Sequence, residues 1–247
     1  MPLTKTLKFD DDVLRIIRSM TWNADGTLGV LTCGQLDRDL YTRVDKALKA
    51  MGGKWNRRAG GHSFLTDPRP QVEGLLENGT LTVERDGFFE TPPAVVERML
   101  ALVEPRGTIL EPSAGLGAIL DYLPRDQTWF VEKNPARAAV LTAKGYQGMC
   151  ADFLAWDPPA FARIYMNPPF ELGQDIEHVR HAYYALADGG ALVSVMSEGP
   201  FFREDRRATD FRVWLEQVSG YSETLPQGSF LPATGVNARL VVIDKGA

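Results

Sequence analysis

Apolar residues recur along this chain in two different arrangements, and the change from one to the other falls near residue 88. Leu36, Leu40, Val44, Ala47, Leu48 and Met51 recur at spacings of three and four, which gathers them on one helical face closed by Gly52 and Gly53. The run LGVLTC before this helix reads as a short strand, and KWNRRAGGHSFLT after it as two short strands about a turn at Ala59, Gly60 and Gly61. Trp55 and Phe64 are expected to form the small core of that hairpin rather than base-stacking platforms, in a unit running from Leu28 to about Asp67. A second short helix near Gln71 to Asn78 leads through NGTLTVERDG to a different texture. From there strands are predicted near 107–111, 128–132, 146–150, 162–166, 190–196, 223–227 and 238–244, with helices near 92–104, 116–123, 135–143, 173–187 and 208–218. This alternation predicts a doubly wound α/β domain over residues 88–247, preceded by a small α+β accessory unit over 1–87.

With 247 residues and 44% hydrophobic content the chain can bury a full core. It has no run of about eighteen apolar residues, and MPLTKTLKFDDD lacks an apolar signal core, so a cytoplasmic protein with no membrane partner is expected. Cys33 and Cys150 stand far apart without a partner motif, which argues against a disulfide framework or a cysteine-based zinc site. The net charge of -5 argues against coating nucleic acid by bulk charge. Residues 34 to 62 nevertheless hold seven Lys and Arg against three Asp. Either a solvated helix face or a phosphate-contacting patch fits that excess, and Lys54, Arg57 and Arg58 near the hairpin tip are the candidates for nucleic-acid contact.

Chemistry-bearing residues gather at the predicted strand ends. The first strand runs into EPSAGLG, with Glu111 at its carboxyl end and Gly115 and Gly117 in a turn that admits either a ligand or tight strand-to-helix packing. Glu132 ends the second strand seventeen residues after Gly115, near the roughly 20-residue spacing at which an acid meets ribose hydroxyls. Asp152 follows the third strand, where a carboxylate can accept from an adenine amino group or simply occupy a surface loop. The fourth strand runs into MNPPF. Two prolines continue neither a central strand nor a helix, so Asn167 and Phe170 are held on a stiff turn. SEGPFFREDRRATDFR, with Phe201, Phe202, Arg203, Arg206 and Arg207, fits an ordinary loop or a substrate clamp. His178 and His181 lie three apart without a third ligand in view and are read as packing or helix-surface residues, so no metal is expected.

As a set these motifs resemble class I S-adenosylmethionine-dependent methyltransferases, and within them the NPPF-type enzymes that methylate adenine N6 in DNA. FFETPPAVVERML resembles the segment beneath the cofactor's methionine moiety, which implies a cofactor contact for Thr91. EPSAGLG is similar to the cofactor loop, implying roles for Glu111, Pro112, Ser113, Ala114, Gly115 and Gly117. VEKNP resembles the ribose-binding strand end with Glu132 and Lys133, and ADF the adenine-binding turn with Asp152 and Phe153. NPPF resembles the catalytic motif, with Asn167, Pro168, Pro169 and Phe170, Asn167 also lying beside the cofactor. GSFLPATGVNARLVVI is similar to the closing hairpin of such domains. The resemblance covers roughly residues 88 to 247 and implies a Rossmann-like sheet of seven strands with the last antiparallel, S-adenosylmethionine as cofactor, and DNA adenine as target. Many enzymes of this group add a large C-terminal target-recognition domain, so the N-terminal unit is expected to supply the duplex grip.

The residue types suit that chemistry. An exocyclic amine is a poor nucleophile because its lone pair is delocalised into the ring, and two acceptors, the Asn167 side-chain oxygen and the Pro168 carbonyl, would draw it out. Phe170 would stack on the flipped base. Alternatives remain: an RNA base methyltransferase, although Glu171 stands where such enzymes commonly have His; a protein glutamine methyltransferase; or a non-catalytic nucleic-acid-binding protein.

Overall fold

The computed structural model describes residues 3–85, 89–230 and 237–246, and the chain divides into two units, Met1–Asp86 and Gly87–Ala247. The expected boundary at 87/88 and residues 231–236 of the expected closing hairpin lie outside the described residues.

The first unit runs β1 (Leu3–Lys8), α1 (Asp11–Arg18), β2 (Thr21–Trp22), β3 (Leu28–Val30), α2 (Arg38–Ala50), β4 (Lys54–Asn56), β5 (Gly61–Ser63), α3 (Arg69–Asn78) and β6 (Thr80–Arg85). β1 pairs antiparallel with β6, and β2, β3, β5 and β4 form a small sheet in that order. Its core gathers Val13 and Ile17 from α1, Val44 and Leu48 from α2, and Leu75 from α3. More of this unit is regular than the periodicity predicts. α1 starts where Asp10 accepts the Val13 N–H at 3.1 Å, and it buries Val13, Ile16 and Ile17. β1 and β6 find each other across almost the whole unit, with Leu3 opposite Arg85; no local period reports such a pairing. Phe64 is buried as expected, but Trp55 is 49% exposed. β4 is the edge strand of its sheet, and the Trp55 ring rests on the buried His62 ring at 5.2 Å between centroids instead of entering the core.

The second unit contains α4 (Pro93–Leu102), β7 (Ile109–Glu111), β8 (Thr128–Glu132), α5 (Pro135–Ala143), β9 (Gln147–Cys150), β10 (Phe161–Met166), α6 (Gln174–Tyr184), β11 (Leu186–Ser197), α7 (Gly199–Phe202), α8 (Arg206–Gln217), β12 (Tyr221–Thr224) and β13 (Ala238–Asp244). Its seven strands lie in the order β12-β13-β11-β10-β7-β8-β9. β9, β8, β7, β10 and β11 are parallel, while β13 runs antiparallel to both β11 and β12. This is a Rossmann-like doubly wound sheet, as expected. Helices cover both faces, so alternate residues of β11 enter different cores: Leu192 and Met196 join Val179 of α6 and Phe211 of α8, whereas Val193 and Val195 join Val96 and Met99 of α4. The helix expected over 116–123 is instead a single 3₁₀ turn, Leu120–Tyr122. Gly117 takes φ +91°, outside any right-handed helix, so the segment cannot close regular turns. Strand order reverses between β7 and β10, the switch point outside which open α/β sheets bind ligands.

Candidate functional site

At the carboxyl end of β7 the chain leaves the sheet through Glu111 to Gly117. Gly115 and Gly117 both have positive φ, and a Cβ on Gly117 would lie 2.9 Å from Leu141 Cδ2 of α5. Glu132, at the end of β8, fastens this turn. Its Oε2 accepts the Gly115 N–H at 2.8 Å, while Oε1 accepts from Asn134 N at 2.7 Å and from Arg137 Nε and Nη2 at 3.1 and 2.9 Å. Expected to face ribose hydroxyls, Glu132 is found bracing the glycine turn, and Oε2, which accepts from Gly115 N, has a second lone pair with which to accept from a ligand.

Lys133 and Asp152 pair with each other at 2.7 Å, and Asp152 also accepts from Leu154 N at 3.1 Å. Partial burial raises the Asp152 carboxyl, but the Lys133 hydrogen bond and charge outweigh it and hold the group below the usual carboxylate range. Phe153 is buried against the rings of His178 and His181, at 5.7 and 4.6 Å. Pro112 and Ala114 are buried and Ser113 half-buried, its Oγ 3.4 Å from His178 Nδ1.

Glu111 differs from these braced acids. It is 2% exposed, and its Oε2 has no hydrogen-bond partner among the described residues. Burial pushes its carboxyl well above the ordinary range, and the nearby charges of Glu132 and Asp121 add to the shift. A buried carboxyl at a strand's carboxyl end with an unused oxygen is suited to a cationic ligand group, whose arrival would favour its ionised form.

β10 delivers Asn167 to the same edge of the sheet. Its Nδ2 donates to Phe89 O at 3.0 Å and to Thr91 Oγ1 at 3.1 Å. A carbonyl only accepts, so Phe89 dictates which end of the amide is nitrogen and leaves Oδ1 facing elsewhere. Oδ1 and the Pro168 carbonyl receive no hydrogen bond among the described residues. Thr91, expected at the cofactor, therefore also orients Asn167. Pro168 is buried, Pro169 is half-buried, and half-buried Phe170 packs on the core beneath α4.

Three residues that the periodicity does not single out brace the strand ends and turns of this edge. Leu172 and Gly173 have φ of 53° and 69°, and Arg207 of α8 donates to both carbonyls, to Gly173 O at 2.6 Å, and pairs with Glu177 at 2.9 Å. Asp175, fully buried in the first turn of α6, accepts Ser197 N and Oγ of β11 at 3.0 and 2.7 Å. Arg137 completes the Glu132 brace. Arg207 belongs to the segment read as an ordinary loop or a substrate clamp, yet its exposed guanidinium is engaged by the protein's own acceptors. Phe202 of that segment remains 64% exposed. Lys54, Arg57 and Arg58 lie in the first unit, on β4 and its turn.

His178 gives the site a measurable pH signature. Burial pushes its imidazole down to about 4, with the Asp152 charge opposing and His181 and Lys133 adding to the depression. The unfolded chain therefore binds the proton first, so the contribution of His178 is complete above about pH 6.5 and is lost as pH falls toward 4. The loss is expected to reach about 3 kcal/mol. Urea midpoints of the wild type and His178→Gln across that window test it; equal declines in the two proteins would refute it.

Among the described residues no helix is long and apolar enough to cross a membrane, and no group of three or more His, Cys, Asp or Glu is gathered to hold a metal. No protein-family model matches the sequence, and no curated protein matches it significantly. Solved structures that share the fold include a type I restriction-modification system methyltransferase subunit from Streptococcus thermophilus, at 20% identity and TM-score 0.56 over 73% of this chain and 49% of that one. The EcoKI M protein of a type I restriction enzyme matches at 18% and 0.53, over 90% of this chain and 56% of that one. A chain from a further structure of a type I restriction-modification system matches at 20% and 0.53, over 84% and 46%. The chain spans about half the length of these proteins. At these identities the likeness establishes the fold, a Rossmann-like methyltransferase fold.

Proposed function

We propose that this chain transfers a methyl group from S-adenosylmethionine to N6 of adenine in DNA, with the base flipped out of its stack. The observation that carries the reading is Asn167, whose Nδ2 is occupied by Phe89 O and Thr91 Oγ1. Its Oδ1, beside the Pro168 carbonyl, is left to accept hydrogens from a target amine. Two acceptors on one amino group favour a pyramidal nitrogen whose lone pair is drawn out of the ring. S-adenosylmethionine, when bound, supplies an electrophilic methyl group on a positively charged sulfur. Glu111 would receive the cofactor's ammonium, Glu132 Oε2 its ribose hydroxyls, and Asp152 and Phe153 its adenine, with the Gly115–Gly117 turn allowing close approach. Phe170 would stack on the flipped base, worth about 1–3 kcal/mol. The amine can release its proton to solvent after transfer, so the chain needs no general base. In the first unit Lys54, Arg57 and Arg58 are proposed to contact DNA phosphates. A methyltransferase subunit of a restriction-modification system among the similar folds is in keeping with this reading.

The test is to incubate the protein with labelled S-adenosylmethionine and DNA, RNA or protein in parallel, and to identify the product by mass spectrometry. N6-methyladenine in DNA is the expected product; label in RNA or on glutamine would redirect the reading. Glu111→Gln separates cofactor binding from folding. A charged hydrogen bond contributes about 1.5–3 kcal/mol, so cofactor affinity should fall about tenfold or more. The unfolding midpoint should stay near that of the wild type, because an amide of the same shape replaces a carboxyl whose charged form burial disfavours. Unchanged calorimetric affinity would remove Glu111 from the site.

A further inference from the structure

The first unit carries a groove of about 490 Å³ whose lining includes Leu31, Leu36, Arg38, Tyr41, Trp55 and Gly60. Half of the large Trp55 side chain is left in water on an edge strand, one side of it backed by the buried His62 ring. An indole buried on only one side, in a concavity shared with a tyrosine, forgoes much of the apolar burial a tryptophan usually supplies.

Charge narrows the choice of occupant. The three carboxylates between residues 34 and 62 are all engaged within the unit. Asp37 caps α2 through Leu40 N at 3.0 Å, Asp39 pairs with Arg43 at 3.0 Å, and Asp45 pairs with Lys49 and His62 at 2.7 and 3.1 Å. Arg38, which lines the groove, and Arg57 and Arg58, in the turn that follows β4, make no ion pair among the described residues. An apolar, aromatic floor with free guanidinium groups matches a ligand that presents a flat ring on an anionic backbone.

We propose that this groove binds an unpaired base of single-stranded DNA, which stacks on Trp55 while Arg38, Arg57 and Arg58 meet the flanking phosphates. A base within a duplex offers no free face to the indole, whereas every unpaired base does. The choice of DNA rests on the proposed function, which shares Arg57 and Arg58 with this groove, but binding here is measured without cofactor and at Trp55, so its failure and the failure of methyl transfer are told apart.

The experiment is fluorescence anisotropy of end-labelled oligothymidylate, oligouridylate and a duplex of equal length, titrated with the full chain over several salt concentrations. Trp55→Ala should weaken oligothymidylate binding about 5- to 150-fold, the equivalent of one stack, without altering the salt slope. Trp55→Phe should recover most of the loss, because a smaller ring still stacks. Arg57→Ala/Arg58→Ala should flatten the slope of log affinity against log salt by about 1.4, since each phosphate contact on a single strand contributes about 0.7. Circular dichroism of each variant establishes that it is folded, which the exposure of Trp55 favours. The proposal is overturned if folded Trp55→Ala binds oligothymidylate as tightly as the wild type, or if the wild type prefers oligouridylate or duplex.

Discussion

Asn167→Ala is expected to lower the rate of methyl transfer by about 10²–10³, the loss typical of removing one preorganised polar group from a reacting centre. Cofactor affinity should change little, because the proposed work of the amide is on the target amine. Alanine removes both ends of the side chain: the Nδ2 anchored on Phe89 O and Thr91 Oγ1, and the Oδ1 that this anchoring aims. Two further variants separate these contributions. Asn167→Asp keeps an oxygen acceptor but sets a carboxylate against the Phe89 carbonyl, so it should lose the aim and much of the rate. Thr91→Val removes one of the two anchors and should cost less than either. Single-turnover kinetics report the chemical step, and calorimetry reports cofactor binding. Turnover of Asn167→Ala comparable to the wild type would remove the amide from the mechanism.

Glu132→Ala should be the most destabilising single change at the site, by roughly 3–5 kcal/mol. The carboxylate is 5% exposed and serves three donors groups at once: the Gly115 N–H, the Asn134 N–H and the Arg137 guanidinium, itself 13% exposed. Each buried N–H deprived of its acceptor costs about 1–3 kcal/mol, and the glycine turn would lose its brace. Cofactor affinity should fall about tenfold or more in the same variant, since a turn that no longer holds its shape and a missing ribose acceptor act together. Glu132→Gln keeps one acceptor oxygen and should fall between the two proteins. Urea unfolding gives the stability and calorimetry the affinity. A variant as stable as the wild type would show that the turn holds itself, and an unchanged affinity would mean that the ribose lies elsewhere.

Local features were readable in the sequence because their causes are local. Consecutive apolar runs placed the seven strands of the second unit, and helical spacing placed α2, α5 and α8 within a few residues of their observed ends. Pro168 and Pro169 determined that β10 stops at Met166 and that Asn167 stands on a rigid turn, because a proline ring forbids both a ladder donor and a helix interior. The glycines of EPSAGLG marked a turn, though Gly117 at φ +91° stopped the helix expected just after it. The strand ends therefore named Glu111, Glu132, Asp152 and Asn167 as candidates.

What each of those side chains does was decided only by tertiary structure, because each role depends on a partner distant in sequence. Phe89 and Thr91 aim the Asn167 amide, and Gly115 engages Glu132. Arg207, on α8, is held at the surface by the carbonyls of Leu172 and Gly173, and the buried Asp175 is satisfied by Ser197. Whether Trp55 is core or surface likewise turned on β4 being an edge strand, a fact of sheet order that period-two alternation cannot carry. Glu111 is the sharpest case: the sequence determined that an acid ends β7, and only its enclosure, which pushes its carboxyl up and leaves one oxygen without a partner among the described residues, made it a candidate receptor for a cation.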